Sequence, residues 1–595
     1  MIGRHPNDVA RRSRVASWIM ATAMLFLAAG FFRSQVIRHA SYALQSESNR
    51  LREVPVAAAR GMILDRHNAV IANNVAGYSI SVFALQEDTL RAVVQRLSHI
   101  IAVPPSAMDR ALRQFRRTST RPAVVVADAS QELVTMVEAH RAELPGLVVE
   151  SAPRRFYPDG PVVASFAGFV GEVNEAELAT PAMAGYKAGQ QVGKQGLEQE
   201  YESTLRGKEG SRFVEVDSQG QVVKSTGARQ DLAPIAGADV HTNIDLALQR
   251  VIAKLFADSL QGGVVALDPN TGGVLAFYSA PSWSGNRFIG GVPAAYWDSL
   301  LRNPRRPLYN KALQAVYAPG STWKLATAVM GLETNMVRMT DHMPIACTGG
   351  MQVGSRYFRC WDAGGHGSLD LKGAIAKSCD VYFYQLGIKL GLSRLVAGGV
   401  AMGFARKSGI DLPGEIAPRF PESTGYFDRK YGRAGWTNAL ALNMAIGQGD
   451  NAQTMLGMAK FYAALATDGK APRPSIAVAP AERTELFRLS AQQLEDVRDA
   501  LVAVTAGGTA ARLSSKGLQL AGKNGTAQSG TVDPATGREL NHSWFVGFAP
   551  ANKPSIVVAV MIEFGGHGPR AAAIASRIIQ AYLHVAPVVD MSVEG

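Results

Sequence analysis

The sequence APGSTWKLATAVM, residues 318–330, predicts a tight turn that leads into a buried helix. Pro319 and Gly320 end whatever element precedes them, and Ser321 then stands where N-caps and first helical turns favour serine. The residues that follow are apolar nearly all round except for Lys324, which is typical of a helix enclosed in a domain. Ser321 is therefore expected at the start of a buried helix.

Ser321 and Lys324 have the spacing of a nucleophile and its base. Residues at i and i+3 share a helix face, with Cβ atoms roughly 5–6 Å apart. A lysine in a dry setting loses solvation, so a neutral amine that can accept the serine proton becomes accessible. The helix N-terminus adds a positive field that favours an oxyanion or a carboxylate. A capping serine followed by a solvated lysine is the alternative, which this motif alone leaves open.

Two further motifs follow Ser321-x-x-Lys324 along the chain. They are Ser378-Cys379-Asp380 and Lys523-Asn524-Gly525-Thr526. In this order the three motifs resemble the active-site elements of the penicillin-binding proteins and serine β-lactamases. The resemblance implies that Ser321 is the nucleophile and Lys324 its base.

The second motif has a role in proton transfer by this resemblance. Ser378 would pass a proton between Lys324, Ser321 and the leaving amine, and Asp380 stands where many relatives have asparagine. Taken alone, the triplet would be interpreted as a serine-aspartate turn that caps the next helix.

The third motif is expected on a strand that lines the cleft, where an extended peptide can add as a further strand. Gly525 permits close backbone approach. Lys523 and Thr526 can hold the terminal carboxylate of a substrate, and backbone N–H groups at Ser321 and near Thr526 would form an oxyanion hole. Relatives usually have threonine or serine at position 524. Asn524 lacks that hydroxyl but keeps an amide donor, so an altered β-lactam affinity is expected. A plain turn at Asn524-Gly525 is the local alternative.

The three cysteines of the chain all lie between positions 347 and 379. Cys347, Cys360, His366 and Cys379 offer four soft ligands, which suits a closed tetrahedral zinc site. In an oxidising compartment a disulfide is the alternative, with Cys347–Cys360 as the first pair, although three cysteines leave one thiol over. Zinc would be structural, because it would rigidify the loop that carries Ser378 and Asp380. Catalysis itself is expected to need no cofactor.

Residues 15–32 form an uncharged apolar stretch that is long enough to cross a bilayer. A cleaved signal peptide usually has a shorter apolar region, and no small-x-small cleavage site follows this one. Four arginines precede the stretch and two follow it closely, which favours a cytoplasmic N-terminus. We therefore expect a tail at 1–14 and a transmembrane signal anchor at 15–36, with the remainder outside the cytoplasm. A buried core helix is the alternative.

The composition is that of a multidomain globular protein. The 595 residues exceed what one core holds, and 47% are apolar while 18% are charged. The net charge of +12 could indicate nucleic acid as a partner, but no basic run with interleaved aromatic residues is present. Anionic lipid or an anionic wall polymer suits this charge better.

Segments 60–72, 168–173 and 193–201 resemble the pedestal domain of class B penicillin-binding proteins. This resemblance implies a non-catalytic, dimerisation-like pedestal over residues 37–240 that also offers partner surface.

The remainder of the chain predicts a second domain. The elements of this domain begin at residue 244 with a helix and two strands, and they end at residue 585 with two strands and a helix. This order implies one antiparallel sheet flanked by helices. The Ser321 helix would lie in a mainly helical insertion. The predicted fold class is thus α+β, with a transpeptidase domain at 241–585 and a tail at 586–595.

Residues 359–361, 365–367 and 382–384 resemble the elongation-type branch of class B. The resemblance implies a single-pass inner-membrane enzyme, mostly periplasmic, that cross-links peptidoglycan stem peptides and is inhibited by β-lactams. A carboxypeptidase side activity is also implied. The implied partners are a SEDS-family glycosyltransferase and elongation-complex proteins. A septal transpeptidase, a β-lactam sensor or hydrolase, and a glycosyltransferase-activating scaffold with weak chemistry are the alternatives.

Overall fold

The computed structural model describes residues 6–42, 51–103, 105–117, 122–187, 190–216, 222–224, 230–256, 259–433, 435–437, 439–511, 518–566 and 568–585. The expected tail at 586–595 lies outside these ranges. The chain divides into two compact units. The first consists of Met1–Ala59, Ala76–Arg154 and Lys208–Ala236, and the second of Arg60–Val75, Arg155–Gly207 and Gly237–Gly595.

The first element is a long apolar helix. Helix α1, Pro6–Phe32, continues into a short π-helical turn at Arg33–Ile37. The segment Ala10–Ile37 has a mean hydropathy of 1.9, and by length and composition it could cross a membrane. None of its most apolar window is buried in the described chain, which argues against a buried core helix. The predicted N-terminal apolar helix is confirmed.

Short strands and helices alternate from residue 51 to residue 241. In chain order they are β1 (Leu51–Val56), β2 (Ile63–Leu64), β3 (Val70–Val82), α2 (Glu87–Ile100), α3 (Pro105–Arg117), β4 (Ala123–Ala129), α4 (Gln131–Ala139), β5 (Leu147–Phe156), α5 (Ala164–Ala167), β6 (Phe169–Glu172), α6 (Glu175–Leu178), β7 (Gln191–Gln195), α7 (Gly196–Glu200), α8 (Glu202–Leu205), β8 (Gly210–Val216), β9 (Val222–Lys224) and β10 (Val240–His241).

The first unit is built from sheets and amphipathic helices. Strands β1, β8 and β9 form an antiparallel sheet in that order, and β4 pairs antiparallel with the end of β3. Helix α2 buries Leu90, Val93, Val94 and Leu97, which are spaced i, i+3, i+4 and i+7 and so share one face. This face belongs to the hydrophobic core of the unit.

A buried ion cluster holds segments of the second unit together. Arg60 Nε and Arg155 Nε each lie 2.6 Å from a carboxylate oxygen of Glu198, which is fully buried. Tyr157 also donates its hydroxyl to Glu198, and Arg60 reaches Glu202. Burial opposes the ionisation of Glu198, but the two arginines outweigh it and hold the pKa of the carboxyl below its ordinary value. The segments at 60–72 and 193–201 therefore meet at this carboxylate.

The elements after residue 245 build the larger part of the second unit. In chain order they are α9 (Leu246–Phe256), β11 (Gly262–Leu267), β12 (Val274–Ala280), α10 (Ala294–Arg302), α11 (Lys311–Gln314), α12 (Lys324–Glu333), β13 (Gly350–Val353), β14 (Arg356–Arg359), α13 (Leu371–Ala376), α14 (Asp380–Leu390), α15 (Leu392–Ala401), α16 (Gly425–Tyr431), α17 (Ala439–Ala445), α18 (Met455–Ala466), β15 (Lys470–Pro472), β16 (Arg483–Glu485), α19 (Ala491–Ala506), β17 (Ala521–Ala527), β18 (His542–Ala549), β19 (Ile556–Ile562) and α20 (Pro569–Leu583).

One antiparallel sheet organises this region. Its strands have the order β12-β11-β19-β18-β17. Every residue of β18 and β19 is buried, because helices cover both faces of the sheet. Ser543 on one face contacts the start of α20, while α18 packs against Gly263 on the other. The predicted α+β fold, with an antiparallel sheet flanked by helices, is confirmed.

Candidate active site

Ser321 lies in a tight turn that precedes a buried helix. Gly320–Trp323 is a 3₁₀ turn, and α12 begins at Lys324, so the serine stands just before the α-helix. The backbone of Gly320 has φ +53°, and a Cβ there would lie 2.6 Å from the carbonyl oxygen of Thr526. Glycine is therefore needed for the nucleophile turn to approach strand β17 this closely.

A second glycine supports the same turn from another side. The Gly320 N–H donates to the Gly447 carbonyl over 3.0 Å. Gly447 has φ +75°, and a Cβ on it would lie 2.3 Å from the Gly320 carbonyl oxygen. The turn that contains Gly447 thus holds the nucleophile turn by close backbone packing.

Lys324 is fully buried and contacts the second motif. Its Nζ lies 2.7 Å from the Ser378 carbonyl, 3.1 Å from Ser378 Oγ and 2.7 Å from Asp380 Oδ1. Three acceptors match the three N–H donors of an ammonium group. The Ser321 carbonyl accepts the backbone N–H of Lys324, but the Ser321 hydroxyl has no hydrogen-bond partner among the described residues. The lysine is thus paired with Ser378 and Asp380, and the Ser321 hydroxyl is available to a ligand.

The backbone at Ser378 is strained. Ser378 has φ +56°, a left-handed conformation that is uncommon for residues other than glycine. Such outliers cluster at functional sites, where the surrounding structure maintains them. The conformation lets both the carbonyl and the hydroxyl of Ser378 reach Lys324.

Asp380 is oriented from two sides. Its Oδ1 pairs with Lys324, while its Oδ2 accepts the backbone N–H of Trp361 over 2.9 Å. The indole N–H of Trp361 donates in turn to the Lys377 carbonyl over 3.1 Å. Trp361 therefore anchors the loop before α14 although its own side chain is 60% exposed.

Strand β17 ends the order of the sheet in the described part of the chain and passes beside the nucleophile turn. Lys523 on this strand is fully buried. Burial and the charge of Lys324 lower the pKa of Lys523 well below its ordinary value, and Asp380 counteracts them. Asp380 thus acts on both buried lysines, by direct contact with Lys324 and by its charge on Lys523.

Asn524 holds the ammonium group of Lys523. The Lys523 Nζ donates to the Asn524 carbonyl over 3.0 Å and to Asn524 Oδ1 over 3.2 Å. The Asn524 amide also contacts Thr509, a residue that follows α19. Its side chain is engaged within the protein and is only 8% exposed.

Gly525 and Thr526 lie where the strand passes the nucleophile turn. A Cβ on Gly525 would lie 2.9 Å from the Pro319 carbonyl oxygen, so the close approach expected of this glycine is present. Thr526 Oγ1 accepts the backbone N–H of Gly568 over 3.2 Å. The hydroxyl proton of Thr526 therefore remains available to donate to a ligand.

Cys347, Cys360, His366 and Cys379 converge at one point beside this site. Their ligand atoms lie within 4.8 Å of one another, and the three cysteines are free thiols that are buried. His366 Nδ1 lies 3.6 Å from the sulfur atoms of both Cys347 and Cys360.

The two sulfur–nitrogen distances of 3.6 Å fit a tetrahedral zinc ion. Zn–S bonds of about 2.3 Å and Zn–N bonds of about 2.0–2.1 Å place sulfur and nitrogen about 3.6 Å apart. A hydrogen bond from Cys379 lowers the pKa of Cys360 to about 5 and raises that of Cys379. One thiolate is thus favoured even without a metal, and thiolates are the form that binds zinc.

The structure brings the three predicted motifs into one cleft and the four predicted metal ligands into one cluster. Sequence reasoning missed the contacts made by Trp361, Thr509 and Gly568, and left Gly447 without a specific contact. Each of the four acts through close backbone packing or through one or two hydrogen bonds. The only local signal was the nearness of Trp361 to Cys360 in the sequence.

Comparison with known proteins agrees with this geometry. Residues 262–580 match the family model of the penicillin-binding protein transpeptidase domain, and residues 55–242 match that of the penicillin-binding protein dimerisation domain. Peptidoglycan D,D-transpeptidase MrdA of Acinetobacter baumannii is 30% identical over 97% of this chain and 89% of its own length.

Solved structures show the same fold. Penicillin-binding protein 2 of Helicobacter pylori, in a complex with MreC, matches with a TM-score of 0.76 at 25% identity, over 90% of this chain and 99% of that chain. A chain from a peptidoglycan synthase complex that coordinates polymerization and crosslinking matches with a TM-score of 0.70 at 28% identity, over 98% of this chain and 100% of that chain. This protein therefore belongs to the penicillin-binding protein family, as a class B member of the penicillin-binding protein 2 type.

Proposed function

We propose that this protein is the peptidoglycan D,D-transpeptidase of cell-wall elongation and that Ser321 is its nucleophile. The observation that carries the proposal is the convergence of three elements on one cleft. These elements are the turn of Ser321 and Lys324, the segment of Ser378 and Asp380 that Lys324 contacts, and the strand of Lys523. They come from distant parts of the sequence. The relative from Acinetobacter baumannii, which is named peptidoglycan D,D-transpeptidase MrdA, supports this activity.

In the first half-reaction Ser321 Oγ attacks the penultimate carbonyl carbon of a D-Ala-D-Ala stem peptide. The serine proton moves to the neutral amine of Lys324, and Lys324 then passes a proton through Ser378 Oγ to the nitrogen of the leaving D-Ala. The Ser378 Oγ lies 3.1 Å from Lys324 Nζ, within reach for this transfer. One C–N bond breaks, one C–O bond forms, and Lys324 returns to the protonation state in which it began.

In the second half-reaction the amine of a neighbouring stem peptide attacks the acyl-enzyme. The C–O bond breaks, the new C–N bond forms, and the proton returns by the same route to Ser321. The peptide bond that is broken provides the free energy for the bond that is formed, so no nucleotide is required. When water replaces the amine, the same site acts as a carboxypeptidase.

Strand β17 would bind the stem peptide along its free edge. The ammonium of Lys523 and the hydroxyl of Thr526 would bind its terminal carboxylate. The backbone N–H groups at Ser321 and near Thr526 would stabilise the oxyanion. β-Lactams would occupy the same cleft, because they also pair an acyl carbonyl with a carboxylate.

The proposal is tested by the intact mass of the full-length protein after exposure to a penicillin. We expect a stable adduct of one drug molecule, which is lost in Ser321→Ala and retained in the control Ser355→Ala, an exposed serine in the turn between β13 and β14. No adduct on the unsubstituted protein would favour a scaffold with weak chemistry. An adduct that disappears within seconds would favour a hydrolase.

We further propose that Cys347, Cys360, His366 and Cys379 hold a structural zinc ion. A bound ion would fix the loop that ends at Asp380, because Cys379 is its direct neighbour. Elemental analysis of the full-length protein is expected to find about one zinc per chain. In Cys347→Ser the metal content and the melting temperature are expected to fall together. Absence of metal together with a single free thiol after denaturation would contradict the site and favour a disulfide.

The segment Ala10–Ile37 would anchor the protein in the inner membrane with the bulk of the chain in the periplasm. The expected bounds remain 1–14 for the tail, 15–36 for the anchor, 37–240 for the pedestal and 241–585 for the transpeptidase domain. The complex of the Helicobacter pylori relative with MreC, and the peptidoglycan synthase complex, support elongation-complex proteins and a SEDS-family glycosyltransferase as partners.

A further inference from the structure

Thr509 and Asn524 hold each other by two hydrogen bonds. Thr509 Oγ1 donates to Asn524 Oδ1 over 2.6 Å, and Asn524 Nδ2 donates back to the Thr509 carbonyl over 3.2 Å. In a flipped amide, Oδ1 would face the Thr509 carbonyl, acceptor against acceptor, while the Thr509 hydroxyl could still accept from Nδ2. The Thr509 carbonyl therefore determines which way the Asn524 amide points, and the Thr509 hydroxyl holds the amide oxygen in that orientation.

The orientation of this amide matters to Lys523. With the oxygen turned inward, Lys523 Nζ donates to Asn524 Oδ1 over 3.2 Å as well as to the Asn524 carbonyl. A flipped amide would present N–H groups to the ammonium and repel it. The other charged groups that act on Lys523 are Lys324 and Asp380, of which the first repels it and the second attracts it.

The surroundings leave the amide little freedom. A Cβ on Gly568 would lie 3.0 Å from Asn524 Nδ2, so the chain packs tightly against the side chain there. On the other side, the Thr509 N–H donates to the Ala376 carbonyl over 3.4 Å, and a Cβ on Gly508 would lie 2.4 Å from the same oxygen. Thr509 is thereby fixed to the end of α13, two residues before Ser378.

We propose that Thr509 is a positioning residue, which turns the Asn524 amide so that its oxygen holds Lys523 in place for the substrate carboxylate. The inference rests on the proposed function, since it concerns how that site binds its substrate. A serine or threonine at position 524 would need no such partner, because a hydroxyl can rotate to donate or accept. An asparagine has fixed ends and needs a neighbour to orient it.

The test compares two substitutions of Thr509 in the full-length protein. Thr509→Val keeps the shape and removes the hydroxyl, whereas Thr509→Ser keeps the hydroxyl. The second-order rate constant for acylation by a penicillin is expected to fall about three- to tenfold in Thr509→Val, the loss expected for one hydrogen bond, and to stay near the original value in Thr509→Ser.

Thr505→Val is the matched control. Thr505 is a buried threonine of α19 whose hydroxyl donates to the Leu520 carbonyl, so its loss affects packing near β17 without touching Asn524. We expect Thr505→Val to lower the melting temperature with less effect on acylation. Equal losses of acylation in Thr505→Val and Thr509→Val, each proportional to the loss of melting temperature, would overturn the proposal.

A second background isolates the coupling. In Asn524→Thr the amide is absent, and Thr509→Val is expected to have little further effect on the acylation rate. An undiminished effect in that background, or an equal loss in Thr509→Ser and Thr509→Val, would overturn the positioning role. A lack of acylation in the unsubstituted protein would instead contradict the proposed function, so the two failures are distinguishable.

Discussion

At the scale of single residues, the site depends on how its charges are paired. Ser321 and Lys324 were predicted from their spacing, and the structure places them at the start of one buried helix. The spacing did not indicate that the lysine would be paired with Ser378 and Asp380, because those contacts join residues that are distant in the sequence. The three motifs and their order could be recognised in the sequence, but the hydrogen bonds among them depend on the tertiary fold.

Asp380→Asn is expected to slow acylation at every pH, because Lys324 loses its paired carboxylate, and to slow it further at alkaline pH. The Asp380 charge raises the pKa of Lys523, while burial and Lys324 lower it. Removing the charge lowers the pKa of Lys523 further, so the ammonium that binds the carboxylate is lost at a lower pH. Penicillin acylation measured across pH should show its alkaline decline shifted to lower pH, with a loss of about tenfold on the alkaline side.

Asp341→Asn serves as the control for this substitution, since Asp341 pairs with Arg338 on the surface. Its profile is expected to coincide with that of the unsubstituted protein. If acylation of Asp380→Asn declined at the same alkaline pH as acylation of the unsubstituted protein, the charge of Asp380 would not be what raises the pKa of Lys523.

At the scale of secondary-structure elements, the sequence was most informative where a pattern was local. The apolar residues of α12 predicted the buried helix. A helix and two strands at the opening of the domain, with two strands and a helix at its close, predicted the antiparallel sheet. Thr509 and Gly568 carry no such pattern, and their contacts with β17 arise only when α19 and α20 pack on the sheet. The strand proposed to bind substrate could thus be predicted, but the residues that support it could not.

Glu198→Gln is expected to destabilise the second unit by about 3–5 kcal/mol, because it leaves Arg60 and Arg155 buried without their carboxylate. The pKa of Glu198 lies below its ordinary value of 4.5, so the ion cluster stabilises the protein above that pH and loses its effect as pH falls through the folded-state pKa. Denaturant unfolding near pH 7 should show the full difference, and unfolding at acidic pH a smaller one.

Glu177→Gln is the comparison, because the Glu177 carboxylate pairs with Lys194 nearer the surface. A loss below about 1 kcal/mol is expected there. If the free energy of unfolding fell no more in Glu198→Gln than in Glu177→Gln, the arginines of the cluster would be shown to tolerate an uncharged neighbour.

At the scale of the whole molecule, the sequence predicted the α+β class and the N-terminal apolar helix, and both are confirmed. The sequence did not indicate that each compact unit is built from three separate segments of the chain. Segments Arg60–Val75 and Arg155–Gly207 belong to the same compact unit as the cleft, although they resemble the pedestal in sequence. The resemblance to the pedestal was recognised from short segments in their order along the chain. The compact units depend instead on contacts between distant residues, such as those of Glu198 with residues more than forty positions away.

The free edge of β17 also bears on how the protein behaves at high concentration. An uncovered strand is a template for pairing with another copy of the same chain, and such pairing is a common route to aggregation. Here Pro319 and Thr322 pack against Gly525, and every residue of the strand except Thr526 is buried. This packing would exclude the edge of a second sheet, so the strand proposed to bind the stem peptide is also protected from self-association.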